Sequence, residues 1–302
     1  MIDRRTLVAT AAAFTLATLV QATFANQAAA EGYDVSGIAV DPALSARVPA
    51  KIRTAGVLSI GSDNAYAPWE YLAGQDGQTP EGIDVDLAKA MGAKLGLEID
   101  FQTSAFDAIM PSLGTKFDLG ISAFSITQER MKVVNFVSYA ESGNLWAVKA
   151  GNPAAFDPAD YCGRVIAVQS GTWHEGMIQD ASKACADAGK PAVEILPFGV
   201  QTEALTRVAA GGADATITGD SVIAYAALQS RGTLETMEAV GILNDSGLNG
   251  IAVAKPDMEL TRLIADTMNA MIKDGTYGAI FAQWGIGSLA VPQAEINPPV
   301  KD

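Results

Sequence analysis

Residues 82–95 read Gly82-Ile83-Asp84-Val85-Asp86-Leu87-Ala88-Lys89-Ala90-Met91-Gly92-Ala93-Lys94-Leu95. Ile83, Leu87, Ala90, Met91 and Leu95 recur at the three- and four-residue spacing of one helix face. Asp84, Asp86, Lys89 and Lys94 are expected to point away from that face, with the two acids complementing the helix dipole in the first turn. On either side the pattern changes to short β-rich runs, at 57–61 before the helix and 97–101 after it. Further runs of this kind stand at 118–122, 164–168, 193–196 and 214–218, with helical stretches between them. Strands alternating with helices predict an α/β protein built on parallel sheets.

Two longer apolar strands, near 143–149 and 249–255, break this rhythm. After the first the alternation restarts, and after the second only helices follow. There Leu260, Leu263, Ile264, Met268 and Met271 repeat the helical spacing and read as core. A chain that crosses from one α/β lobe to another and returns would produce this order. The first lobe is then discontinuous, 51–142 plus 248–302, the second is 143–247, and two hinge strands join them. Residues 31–50, small and polar with Pro42 and Pro49, read as a loosely held lead-in.

With 302 residues, 49% of them hydrophobic and 18% charged, the chain has material for a sizeable core. Twenty Lys and Arg against 34 Asp and Glu give a net charge of −14, which opposes binding to nucleic acid or anionic lipid. One histidine and two cysteines exclude a multi-His metal site and a Cys-rich zinc module. Arg4 and Arg5 before the apolar run 7–20, followed by small residues, mark a signal peptide over 1–30. Cleavage after Ala28-Ala29-Ala30 starts the mature chain near Glu31, and Thr23-Phe24-Ala25 offers a second site. The run falls short of the ~20 residues that span a bilayer. The expected location is the periplasm. There Cys162 and Cys185 read as one disulfide, the alternative being two buried thiols.

No Gly-x-Ser-x-Gly elbow, His-Glu-x-x-His pair or P-loop is present, and the lone His174 beside Trp173 reads as a structural or rim residue rather than a general base. The sequence gives no positive sign of catalysis or of a cofactor. Binding features are stronger. Gly61-Ser62-Asp63-Asn64-Ala65-Tyr66-Ala67-Pro68-Trp69-Glu70-Tyr71 leaves a strand, where ligands of α/β sheets bind, with aromatic faces and an acid suited to a cation. The stretch 118–130 also leaves a strand and carries Ser122, Ser125 and Arg130, the last of a type that clamps carboxylates. Gln169-Ser170-Gly171-Thr172-Trp173 opens a helix whose N–H groups favour an anion, and Asp220 follows the strand at 214–218. Both signs of charge fit a ligand bearing carboxylate and ammonium.

Residues 82–95 resemble, position for position, the signature of the family 3 bacterial extracellular solute-binding proteins. The resemblance runs from about Val57 to Ile286. It takes in residues 105–113, Ser125-Ile126-Thr127 with Arg130, Asp274-Gly275-Thr276-Tyr277 and Trp284-Gly285, while Cys162-Gly163 with Cys185 resembles a disulfide-bearing subset. It implies a two-lobed, type II-like periplasmic-binding-protein fold that closes by hinge motion on a polar amino acid and delivers it to an ABC permease, as a monomer without a cofactor. It further implies Asp63 and Tyr66 at the ligand side chain with Phe106 covering it. Ser125 and Asp220 would hold the ammonium, and Arg130, Gly171 and Thr172 the carboxylate, with Ser122 beside them. Ala123 stands where relatives often have Ser, Asp220 lies one residue further from Asp214 than usual, and Trp173 replaces a smaller polar residue. The fold also resembles periplasmic dehydratases, which makes an enzyme the alternative, and a ligand-sensing role a third.

Overall fold

The computed structural model describes residues 32–300, so the expected signal peptide lies outside the described residues. The elements begin with α1 (Pro42–Ser45), α2 (Ala50–Ala55), β1 (Val57–Ser62), β2 (Ala65–Tyr66), β3 (Glu70–Ala73) and β4 (Thr79–Glu81). There follow α3 (Ile83–Leu95), β5 (Glu98–Thr103), α4 (Phe106–Ile109), β6 (Leu119–Gly120), α5 (Gln128–Val133) and β7 (Val134–Ser142). The second half has β8 (Asn144–Lys149), β9 (Val165–Gln169), α6 (Trp173–Asp187), β10 (Glu194–Phe198), α7 (Gln201–Ala209) and β11 (Ala215–Gly219). It ends with α8 (Asp220–Gln229), β12 (Leu234–Glu238), β13 (Gly247–Ala254), α9 (Met258–Asp274) and α10 (Thr276–Gln283).

Among the described residues the strands form two five-stranded sheets, ordered β5-β1-β6-β13-β7 and β10-β9-β11-β8-β12, and a small antiparallel sheet β2-β3-β4. In the first, β1 runs parallel to β5 and β6 while β13 is antiparallel to β6 and β7. In the second, β9 is parallel to β10 and β11, and β8 is antiparallel to β11 and β12. The chain leaves the first sheet at Ser142, enters the second at Asn144, and returns through β13. Strands β9 and β11, inside the second sheet, are buried on both faces and are nearly all apolar or small. Leu260, Leu263, Ile264, Met268 and Met271 are buried in the first core, as their spacing predicts. Cys162 and Cys185 are bonded, tying the loop before β9 to α6.

Three sequence expectations are corrected. The lead-in is not loose: Asp41 accepts from the Ala43 and Leu44 amides to cap α1, and Leu44, Val48 and Ile52 are buried. Asp84 and Asp86 face inward, because each carboxylate has a buried donor. Asp84 accepts from the Tyr139 hydroxyl at 2.7 Å and the Ala123 amide at 2.9 Å, and Asp86 from Trp284 Nε1 at 2.8 Å. The strand expected at 118–122 contracts to Leu119–Gly120, which releases Ser122 into the cleft.

Gly82 fixes how α3 meets the loop after β2. Its φ is +129°, and a Cβ there would stand 2.2 Å from the Trp69 carbonyl oxygen. The close approach lets Ile83 N and Asp84 N donate to the Pro68 and Trp69 carbonyls at 3.1 and 2.9 Å. The start of the helix thereby anchors Trp69, one of the residues that face the second lobe.

Candidate functional site

The strand-end loops of the two sheets meet. The loop after β1 carries Asp63, whose amide donates to Ser122 Oγ at 3.0 Å, and Ser122 Oγ donates in turn to Glu70 Oε1 at 2.6 Å. Across the cleft, Gln169 Nε2 at the end of β9 donates to Asp63 Oδ2 at 3.0 Å. Burial pushes the Asp63 carboxyl up to about 6; the Gln169 bond opposes that shift, and the charge of Asp107 adds to it.

Arg130 is placed by the N-terminus of α5, where Thr127 Oγ1 accepts from the Arg130 amide at 3.1 Å. Its guanidinium donates to the Ser125 carbonyl at 2.8 Å and, across the cleft, to the Gly171 carbonyl at 3.0 Å. It also lies 5.7 Å over the Phe106 ring, which packs on Phe124. No described carboxylate forms an ion pair with it. Loss of water around this charge lowers its pKa to about 10.

On the facing lobe Thr172 caps α6, accepting from the Glu175 amide at 3.1 Å, while Glu175 Oε2 accepts from the Gly171 amide at 2.8 Å. The Gly171 and Glu175 amides, expected to face an anion, are therefore already paired within the helix start. Gly171 has φ +75°, and a Cβ there would come within 2.9 Å of Asp107 Cβ, so glycine lets the two lobes approach.

Tyr66 accepts from the Gly219 amide at 3.3 Å, and its hydroxyl meets Thr218 Oγ1. Thr218 Oγ1 also faces His174 Nδ1 at 3.5 Å, and His174 Nε2 lies 2.9 Å from Asn144 Oδ1. Because Asn144 Nδ2 donates to the Leu243 and Asp245 carbonyls, its oxygen must face the histidine, and Nε2 carries the proton. Burial, reinforced by the Arg130 charge, pushes His174 down to about 3. The imidazole is a neutral link between Thr218 and Asn144.

The cleft between these groups narrows to two cavities of about 20 Å³, each with room for about one water. Tyr66, Ser125, Trp173 and His174 line both; Phe106, Ser122, Arg130 and Thr172 line one, with Gln169. Asp63 sits behind Gln169, and Gly171 opens instead onto a neighbouring groove of about 650 Å³. Asp220 lines neither small cavity: its oxygens accept from Gly143 N at 3.1 Å and Ser221 N at 2.6 Å.

Residues 58–287 match the model of the bacterial extracellular solute-binding proteins, family 3. The chain belongs to that family. Among its relatives is the arginine-binding protein ArgT of Corynebacterium glutamicum, 32% identical over 98% of this chain and 97% of that one. A solved ancestral arginine-binding protein bound to arginine superposes with a TM-score of 0.66 at 32% identity, covering 76% of this chain and 98% of the other. An ancestral amino acid-binding protein, described as a precursor of cyclohexadienyl dehydratase, does so with a TM-score of 0.65 at 30% identity, covering 78% and 97%.

Within this family 3 chain, site residues to which the sequence assigned no individual role include Trp69, Gln169, Asn144 and Asn249. Trp69 and Gln169 stand in stretches that the strand-end rule singles out, so their position was available as a signal. Asn144 and Asn249 lie in the crossing strands, where apolar runs masked them. Beneath the cleft Glu70 and Asp84 are both fully buried. Burial and the charge of Asp84 raise Glu70 well above the carboxylate range, and burial raises Asp84 to about 7. Since Asp84 has two donors from Tyr139 and Ala123, Glu70 is the member that holds a proton.

Proposed function

We propose that this chain is a periplasmic, monomeric binding protein that captures a polar amino acid with a cationic side chain and delivers it to an ABC permease of the inner membrane. One observation carries the reading: Arg130 is a guanidinium enclosed between two lobes with carbonyls but no carboxylate for partners. A charge in that state invites an anionic ligand group. Asp63, at the other wall, supplies the opposite sign, and the relatives named as binding arginine supply the chemistry such an acid would meet.

In this reading the lobes are residues 51–142 with 248–302, and 143–247, and they open about Gly143 and the segment before β13. Arg130 and Thr172 take the α-carboxylate, joined by the Gly171 amide once it leaves Glu175 Oε2. Ser125 and Asp220 take the α-ammonium, Asp220 after its carboxylate turns off the Gly143 amide. Tyr66 and Phe106 flank the side chain, Ser122 holds the Asp63 loop, and the cation of the side chain displaces Gln169 from Asp63. Turnover is not part of the reading, because the ring of His174 is tied between Asn144 and Thr218.

Refolded, ligand-stripped protein screened by thermal shift against the amino acids tests this. A ligand at 100 times its Kd adds about 2.7 kcal/mol, visible as a raised melting temperature. Arginine, lysine or ornithine should give the largest rise and be recovered unchanged by mass spectrometry. No response to any of them overturns the cationic ligand, and a consumed ligand overturns the binding-protein reading.

A further inference from the structure

The two lobes also touch outside the cavities. Helix α8 packs on β8, β11 and β12 of the second sheet, yet Ser221, Val222 and Tyr225, spaced to share a face, turn toward the first lobe. Val222 is buried within the hydrophobic core of the first lobe. The Trp69 indole N–H donates to Ser221 Oγ at 3.0 Å, and the rings of Tyr71 and Tyr225 lie 6.4 Å apart. Tyr71 is itself packed edge-on by Trp284 at 6.3 Å, and Trp69 edge-on by Tyr139 at 5.9 Å.

We infer that Trp69, Tyr71, Ser221, Val222 and Tyr225 form an interlobe clasp that sets ligand affinity by populating the closed state. Tyr71, Ser221, Val222 and Tyr225 line neither cavity, so their contacts form whether or not the cleft is filled. Opening breaks the Trp69–Ser221 hydrogen bond and exposes Val222 to water, and both oppose opening. Apparent affinity is the intrinsic affinity multiplied by the competent fraction, so residues that favour closure tighten binding without touching the ligand. The clasp rests on the two-lobe closure proposed above, and not on which solute is bound.

Both native cysteines are in the disulfide, so dyes attached at Glu98→Cys and Lys183→Cys report the interlobe distance alone. In the ligand-free protein, single-molecule energy transfer should show a closed population. The Ser221→Ala/Tyr225→Ala variant should reduce its ratio to the open state about tenfold, equivalent to about 1.4 kcal/mol. Ser221→Thr/Tyr225→Phe, which keeps the hydroxyl and the ring, should restore it. A wild-type chain with no closed population, or a double alanine variant with the wild-type distribution, overturns the clasp. Redistribution in a chain that fails to bind L-arginine supports the clasp and overturns only the cationic-ligand reading.

Discussion

Gln169 Nε2 donates to Asp63 Oδ2 at 3.0 Å, joining the end of a second-lobe strand to the loop leaving the first strand of the other lobe. The amide occupies the carboxylate oxygen that a cationic side chain would take. Asp63→Asn should therefore weaken arginine or lysine more than a neutral amino acid, as isothermal calorimetry would read directly. Equal losses for both kinds of ligand would remove Asp63 from the side-chain end.

The same carboxyl predicts a pH dependence. Its pKa is raised from 3.8 to about 6, so between those values the native state holds a proton that the unfolded chain releases. Its contribution to stability is thus fully present below about 4 and declines as pH rises toward 6. A bound cation favours the ionised form, so affinity for L-arginine should rise as pH increases through about 6. Asp63→Asn should flatten that rise, and a profile unchanged by the substitution would assign it to another group.

With Arg130 placed on the ligand carboxylate as proposed, Arg130→Met should cost ligand affinity about 3–5 kcal/mol, more than a hundredfold, because that carboxylate would be left enclosed without a charge partner. The ligand-free protein should lose far less stability, since Arg130 contacts two carbonyls and an aromatic ring rather than an acid. Calorimetry and a melting curve on the same sample separate the two effects. Retained affinity would displace Arg130 from the carboxylate.

Much of the architecture is legible because strands buried on both faces, such as Val165–Gln169 and Ala215–Gly219, are built mostly of apolar and small residues. Strand Val134–Ser142 escapes that reading because Asn135 and Ser138 interrupt it, yet both are buried and bonded to the C-terminal segment near Glu295 and Asn297. Asp84 and Asp86 are misplaced by hydrophobic periodicity for the same reason. Their donors Tyr139, Ala123 and Trp284 are distant in sequence, and a helix pattern carries no trace of them. Of the site, the strand-end loops are legible from position alone. The pairing of Gln169 with Asp63, and of Glu175 with Gly171, depends on lobe closure and on a local cap, which residue type does not announce.

Glu70 and Asp84 share a fully buried site, with Ser122 Oγ on one and the Tyr139 hydroxyl on the other. Glu70 titrates well above the carboxylate range, so the native state keeps a proton that the unfolded chain loses near 4.5. Stability from this group therefore falls as pH rises above that value and continues to fall until Glu70 itself ionises. Glu70→Gln, neutral at every pH and similar in shape, should flatten the decline in urea-measured stability on the alkaline side. Asp84→Asn should instead destabilise by roughly 1–3 kcal/mol, because an NH2 donor replaces one of the two oxygens that accept from Tyr139 and Ala123. A steeper alkaline decline in Glu70→Gln would place the proton elsewhere.

The Cys162–Cys185 bond closes a loop of sequence separation 23, and the chain-entropy model gives such a loop about 3 kcal/mol. Cys185 lies buried near the C-terminal end of α6, about 18 Å along the helix from Trp173 at the cleft. Loss of the bond therefore acts on the unfolded state and on the second-lobe core, not on the binding geometry. The double variant Cys162→Ser/Cys185→Ser should lower the urea midpoint by an amount equivalent to about 3 kcal/mol. Ligand affinity should stay within about twofold, since the Thr172 cap at the cleft end of α6 is untouched. An affinity that falls together with the midpoint would show that the bond also positions the start of α6.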